Sequence, residues 1–499
     1  MNKKEIQTKY ACKNIERIYP KRNWFADPRV KWLTEKETKS ANEKRDALLR
    51  SVFHKVKHNF MGYKISTGDL SPGCLICGQG DWLCLFAKSK CTAHCFFCPQ
   101  DGKSKEEPHL YYDMRIKFDT PQVTIDYLDR FKMRGISFSG GEPFVMLGAI
   151  LKHIKRIKKR FGKDMYIWIY TNGDLVNKDK LMMLKEAGLN EIRFNISARN
   201  YDLRPVELAV NIIDTVTVEI PAIPEDYEIV KKCLVKMQDI GVRHLNLHGL
   251  HPSPFNYNNF IKRGYTFLHL PHYPIFESEL CALELIKFAV DNKITLPINY
   301  CTQTYKFNFQ GRGNRMKMVH FVKENFEEVT NLGYIRSLSA QGRQADVKKL
   351  VEILKANKRN NNLWKLSNSE TKIFIHGALI KYLDFNKLKL NILYFEPRLM
   401  DDLDSNNKVV DLNCKKKLRI EKMPVTQLNK LSRIAIEIFQ KLFIERLIEK
   451  ISDKKFVDYL SKKYKLNTRE KWNKAKKEIE FFVSLGNIEY FKPSFSEVY

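Results

Sequence analysis

Six of the eleven cysteines fall between residues 74 and 98. Cys91, Cys95 and Cys98 are spaced C-x3-C-x2-C in CTAHCFFC, and Cys74, Cys77 and Cys84 lie just upstream in CLICGQGDWLC. Thiolates are soft ligands that select iron–sulfur clusters or zinc. Three thiolates from one short loop can hold three irons of a cubic [4Fe–4S] cluster. The fourth iron is then open to a chelating, amino-acid-like ligand. Structural zinc takes four protein ligands from paired knuckles instead. For the upstream triplet three readings stay open: a second iron–sulfur cluster, a zinc site, or buried unligated thiols. Cys74-x2-Cys77 is itself a metal knuckle, and strand parity puts Trp82, Cys84 and Phe86 on one face. Cys301 and Cys281 are candidate fourth ligands, and Cys301 is the better one because it closes a predicted strand. Cys12, Cys233 and Cys414 stand alone.

The elements that must position these groups read as α/β. Short β-rich runs occur at 81–87, 135–139, 166–171, 191–197, 215–220, 243–248 and 295–301. Amphipathic helical patterns at 145–161, 177–188, 226–241 and 278–292 separate several of them. Strands alternating with helices imply parallel βαβ units, and six or seven units make a barrel or part of one. Chemistry then sits where strands end and loops begin. We expect an N-terminal helical extension over 1–60, the core with its extra cysteine motif over 61–320, and a basic C-terminal domain over 321–499. That last part reads as mixed and mainly helical, with a winged-helix-like end at 425–499.

Composition narrows the class. The 499 residues are 43% hydrophobic and carry 87 basic against 57 acidic side chains, a net +30. That balance favours polyanions, nucleic acid included, or reflects lysines on solvated faces. An odd cysteine count without a visible signal peptide points away from a disulfide framework and toward a reducing cytoplasm. No apolar run approaches the ~18 residues of a membrane span.

CTAHCFFC, with Phe97 before its third cysteine, resembles the cluster loop of radical S-adenosylmethionine (radical SAM) enzymes. Gly140-Gly141-Glu142-Pro143 resembles the family's GGEP motif, and YTNG at 170–173 resembles a third-strand end of activating-enzyme-like members. The resemblance covers about residues 74–320. It implies a partial (β/α)6 TIM-like barrel and a [4Fe–4S] cluster on Cys91, Cys95 and Cys98 that cleaves S-adenosylmethionine to a 5′-deoxyadenosyl radical. It further implies cofactor contacts from Phe97, the backbone of 140–143, Glu142, Asn172, Asn195 and Ser197. An electron donor such as flavodoxin or ferredoxin is implied as well. Residues 218–223 would lie near adenine, but the family's usual glycine pattern is absent there. HLNLHGLHPSPFNYNNFIKRGYTF and LPINYCTQTYKFNFQGRGNRMK resemble proteins described as related to pyruvate formate-lyase activating enzyme.

His244, His248 and His251 invite a metal reading, but core or substrate-facing histidines fit better. Tyr300 and Lys306 are placed to reach the same barrel mouth. Gln310, Arg312 and Arg315 fit either an anion site or a solvated helix start. The expected function is hydrogen abstraction from a peptide or protein side chain. The alternatives are radical modification of nucleic acid or a small metabolite, and a non-enzymatic nucleic-acid-binding protein with structural metal.

Overall fold

The computed structural model describes residues 27–88, 91–100, 109–112, 116–118, 120–270, 272–357, 362–400, 409–413, 416–428 and 431–445, with short pieces at 462–463, 485 and 488–489. Cys12, Cys414 and most of the expected winged-helix-like end lie outside these residues.

Seven strands form a parallel run: β1 (Trp82–Lys88), β2 (Gly135–Gly140), β3 (Tyr166–Thr171), β4 (Glu191–Phe194), β5 (Thr215–Pro221), β6 (His244–His248) and β7 (Ile298–Cys301). Short antiparallel hairpins, Lys57–Asn59 with Lys64–Ser66 and His109–Tyr112 with Ile116–Lys117, extend the two ends to an eleven-stranded sheet. The sheet is therefore an incomplete barrel, six βα units plus a seventh parallel strand.

Alternation along the strands divides the sheet into an apolar and a polar face. Leu83, Leu85, Ile136, Phe138, Ile167, Ile169, Ile192, Val216, Val218, Leu245 and Leu247 are fully buried under the outer helices, in one continuous core. Fully covered parallel strands ordinarily read as apolar on both faces. Here the inward residues are Cys84, Ser137, Trp168, Tyr170, Glu191, Arg193, Thr217, Glu219, Asn246, Asn299 and Cys301. The register places them side by side: Cys84 opposite Ser137, Trp168 opposite Glu191, Glu219 opposite Asn246, and Asn246 opposite Asn299.

A short helix, Pro72–Gln79, plugs this polar face. Ser71 caps it by accepting from the Cys74 amide, and Pro72 starts it. Its approach is so close that a Cβ at Gly73 would lie 2.5 Å from Arg193 Nη2. Arg193 organises the floor beneath. It donates to Glu191 at 2.8 Å, to Glu219 at 2.9 Å, to Tyr170 Oη at 3.2 Å and to Ser71 Oγ at 3.2 Å. Its guanidinium also lies 5.1 Å from the Trp168 ring centre.

The N-terminal extension contributes the helix Glu35–Val52, which opens on a Thr34/Glu37 capping box. The C-terminal region is mixed, as expected, but its described part is built on strands. Glu328–Val329, Ile335–Gln341, Trp364–Leu366, Lys372–Ile375, Lys389–Met400, Val409–Asp411 and Lys417–Leu428 form a seven-stranded antiparallel sheet. Glu489 is tied to it through both carboxylate oxygens on Arg336 Nη1, at 2.7 and 2.8 Å. No helix among the described residues is long and apolar enough to cross a membrane.

Removing one partner of a buried ion pair strands the other charge. We expect Arg193→Ala to cost about 3–5 kcal/mol, because Glu191 and Glu219 would both lose their cation. Urea unfolding of the variant against the unsubstituted chain measures this.

Candidate cluster and cofactor site

Cys91, Cys95 and Cys98 lie just after β1, on a half-buried loop at the C-terminal ends of the strands. Cys98 N donates to Cys95 O at 3.1 Å, closing the loop's last turn. Burial first, and then the neighbouring Cys98 and Cys91 sulfurs, push the Cys95 thiol up to about 12. Burial likewise raises Cys91. Such thiols stay protonated without a cation, and coordinated irons supply that cation. Three half-exposed sulfurs on one turn therefore fit a [4Fe–4S] cluster with an open iron.

The ends of β2, β3 and β4 frame the loop. Gly140 has φ 113°, and a Cβ there would lie 2.6 Å from the Ala87 backbone nitrogen and oxygen, so only glycine fits. Gly141 N donates to Ala87 O at 3.0 Å, which fastens the β2 end to the start of the cluster loop. Glu142 is fully buried, and its carboxylate accepts from Phe144 N at 3.0 Å, Thr171 Oγ1 at 2.9 Å and Asn172 N at 2.8 Å. Burial raises its pKa despite those bonds. In this arrangement Glu142 braces the β2 and β3 ends against each other. Gly140 and Gly141, only partly buried, are the exposed portion of the motif.

Asn172 reaches the cluster loop directly: Nδ2 donates to Thr92 Oγ1 at 2.9 Å and stands 3.8 Å from Cys91 Sγ. Asn195 and Ser197 follow β4, half-buried, with Ser197 Oγ donating to Asn195 Oδ1 at 2.6 Å. Phe97, partly buried, packs against an apolar cluster that includes Leu250, Phe260 and Phe267. Its carbonyl accepts from Asn256 Nδ2 at 2.9 Å, and the Phe96 carbonyl accepts from Asn259 Nδ2 at 2.8 Å. Arg263 lies 3.5 Å from the Phe96 ring centre. This latch, on the segment after β6, was missed from sequence. The Asn-rich NYNNF run was its signal.

His248 and Cys301 pair across β6 and β7 at the top of the polar face. His244 and His248 share a face, as parity requires, while His251 Nδ1 accepts from Gln303 Nε2 at 3.0 Å beyond the strand. Tyr300 points to the buried apolar side. The anion reading of Arg315 is corrected by the structure. Its guanidinium is 5% exposed and bonds the Leu332 carbonyl at 2.7 Å and the Phe307 carbonyl at 3.3 Å, with Glu396 at 3.7 Å. Arg312 donates to Asn331 O at 2.7 Å. Both join the barrel to the C-terminal sheet. Gln310 instead donates to Cys77 Sγ at 2.7 Å.

Comparison with known proteins identifies the family. The family model described as the radical SAM superfamily matches residues 88–255. A Methanocaldococcus jannaschii protein, provisionally named a glycyl-radical enzyme activating enzyme, is 31% identical over 300 residues, covering 58% of this chain and 78% of the relative. The chain belongs to the radical SAM superfamily. It is an enzyme that uses a [4Fe–4S] cluster and S-adenosylmethionine. A Methanococcus vannielii protein, provisionally named a GTP 3′,8-cyclase, is 32% identical over 111 residues, 22% of this chain and 34% of that protein. Among solved structures, Streptococcus suis SuiB bound to its precursor peptide SuiA is 11% identical with a TM-score of 0.32, covering 44% of this chain and 48% of that one.

Two predictions follow from the bracing of the loop. Glu142→Gln turns an NH2 toward one of the amide donors, and we expect a loss of about 1–3 kcal/mol in chemical unfolding. The double variant Asn256→Ala, Asn259→Ala releases the Phe96 and Phe97 carbonyls. It should lose cluster iron to a chelator several-fold faster while keeping its secondary structure, as followed by absorbance and circular dichroism.

Proposed function

We propose that this chain removes a hydrogen atom from a peptide or protein side chain held over the polar face of the sheet. The observation that supports this most directly is the 300-residue relationship to a protein whose name gives it a glycyl-radical enzyme as target. A [4Fe–4S] cluster bound by these cysteines would supply the electron for reductive cleavage of S-adenosylmethionine, the source of a hydrogen-abstracting 5′-deoxyadenosyl radical.

The chain's own residues do the rest. Cys91, Cys95 and Cys98 would hold three irons. The Gly140–Gly141 backbone, Asn172, Asn195 and Ser197 would hold and orient S-adenosylmethionine. Glu142, with no side-chain exposure, keeps the β2 and β3 ends in register. His248 tops β6. Burial pushes its pKa down to about 4, so near neutral pH it can hydrogen-bond a substrate without adding charge. Flavodoxin or ferredoxin would be the electron donor, in the reducing cytoplasm that nine unpaired described cysteines suit.

Nucleic acid is the second reading, carried by the net charge of +30. Part of that charge sits elsewhere: Lys152, Lys155, Arg156, Lys159 and Arg160 are exposed on the helix Leu147–Phe161, on the outer side of the sheet.

Anaerobic protein should form 5′-deoxyadenosine from S-adenosylmethionine with a flavodoxin system, and Cys91→Ala should reduce this by at least about a thousandfold. A protein or peptide fraction of the host extract should stimulate turnover, with loss of the stimulation after protease digestion. Stimulation abolished by nuclease, or carried by small metabolites alone, would remove the peptide reading.

A further inference from the structure

The cluster and cofactor site leaves three buried cysteines unused at the β7 side of the polar face. Cys74 and Cys77 are one turn apart on the helix Pro72–Gln79, 4% and 8% exposed, and Cys301 ends β7 at 8%. Residues three apart on a helix face the same way. Asn246 Nδ2 lies 3.4 Å from Cys74 Sγ and pairs across the sheet with Asn299, which shares its strand face with Cys301. Gln310 Nε2 donates to Cys77 Sγ at 2.7 Å. Tyr305 packs against Cys301, and a Cβ on Gly78, next to Cys77, would lie 2.4 Å from its Oη. That hydroxyl is fully buried and has no hydrogen-bond partner among the described residues.

Lys64 enters the same space. It is 2% exposed, and its Nζ lies 4.5 Å from the Tyr305 ring centre. After burial, its strongest electrostatic neighbours are the sulfurs of Cys301, Cys74 and Cys77, ahead of Glu219. Glu219 is already bonded to Arg193 and Asn246, each at 2.9 Å. A lysine side chain buried this completely calls for an anionic partner beside it.

We propose that Cys74, Cys77 and Cys301 ligate a second iron–sulfur cluster of the [4Fe–4S] type, with Lys64 as its counter-cation and Gln310, Asn246 and Tyr305 as donors around it. A dicationic cubane core on three thiolates carries one net negative charge, which one ammonium offsets. Zinc fits less well. It gathers thiolate sulfurs at about 2.3 Å around one point. Structural zinc takes four protein ligands, and the cysteines gathered here number three. In a cubane each thiolate takes a different iron. Cys84 belongs elsewhere: it sits on β1, at the other end of the parallel run, and accepts from Ser137 Oγ at 3.3 Å.

The test reads metal rather than turnover, so it stands or falls apart from the substrate reading. The chain with Cys91, Cys95 and Cys98 changed to Ser is reconstituted anaerobically and assayed for iron, sulfide and zinc. We expect about four irons and about four sulfides per chain, against about eight of each in the unsubstituted chain. Adding Cys77→Ser or Cys301→Ser should remove the iron, and adding Cys84→Ser should leave it. Near-UV circular dichroism establishes that each variant is folded, and Cys84→Ser controls for loss of an equally buried thiol. About four irons in the unsubstituted chain, zinc in place of iron, or equal iron loss with Cys84→Ser would overturn the proposal.

Discussion

Arg193 holds two carboxylates, the buried Glu191 and the partly buried Glu219, on the inner face of a sheet whose other face is mostly apolar. That interaction sets what the fold can do. A parallel sheet under helices is stabilised from its outer side, where aliphatic residues from every strand meet the helices. The inner side is then available for polar groups, provided their charges are balanced. Arg193 supplies much of that balance. It also fixes the short cysteine-bearing helix, through Ser71 and the close approach at Gly73.

From this floor the site is built upward. Strand ends carry the cluster loop, the glycine turn and Asn172, and buried bonds lock them to each other. Glu142 ties β2 to β3, Gly141 ties β2 to the cluster loop, and Asn256 and Asn259 hold that loop from beyond β6. Each brace uses a backbone group that would otherwise be left without a partner. A rigid frame of this kind suits radical chemistry, in which the protein contributes position and exclusion of water.

The sequence showed the cluster cysteines, the glycine turn and the strand-helix alternation because each is local: a spacing, a dipeptide, a periodicity. Most parallel strands and their helices fall within a few residues of where the pattern puts them. What it hid depends on partners far along the chain. Glu191, Arg193 and Glu219 read as ordinary charges on strands, and only the register reveals them as neighbours. Lys64 carries no local sign of its burial. Cys74 and Cys77 were legible as a knuckle but not as one face of a helix inside the barrel. Glu142 was recognisable from its motif, yet its burial and three donors are tertiary facts. The antiparallel C-terminal sheet was only half visible. Its long strands Lys389–Met400 and Lys417–Leu428 contain Pro397 and Pro424, and their alternation is interrupted by charged residues.

The central claim is that a three-cysteine cluster presents an open iron to S-adenosylmethionine at these strand ends. The most direct measurement is the electron paramagnetic resonance spectrum of the dithionite-reduced protein, before and after S-adenosylmethionine is added. The account predicts a change in g-values on addition, lost in Asn172→Ala if that side chain orients the cofactor and absent in Cys91→Ala. A reduced cluster signal that S-adenosylmethionine leaves unaltered in the unsubstituted protein would contradict it.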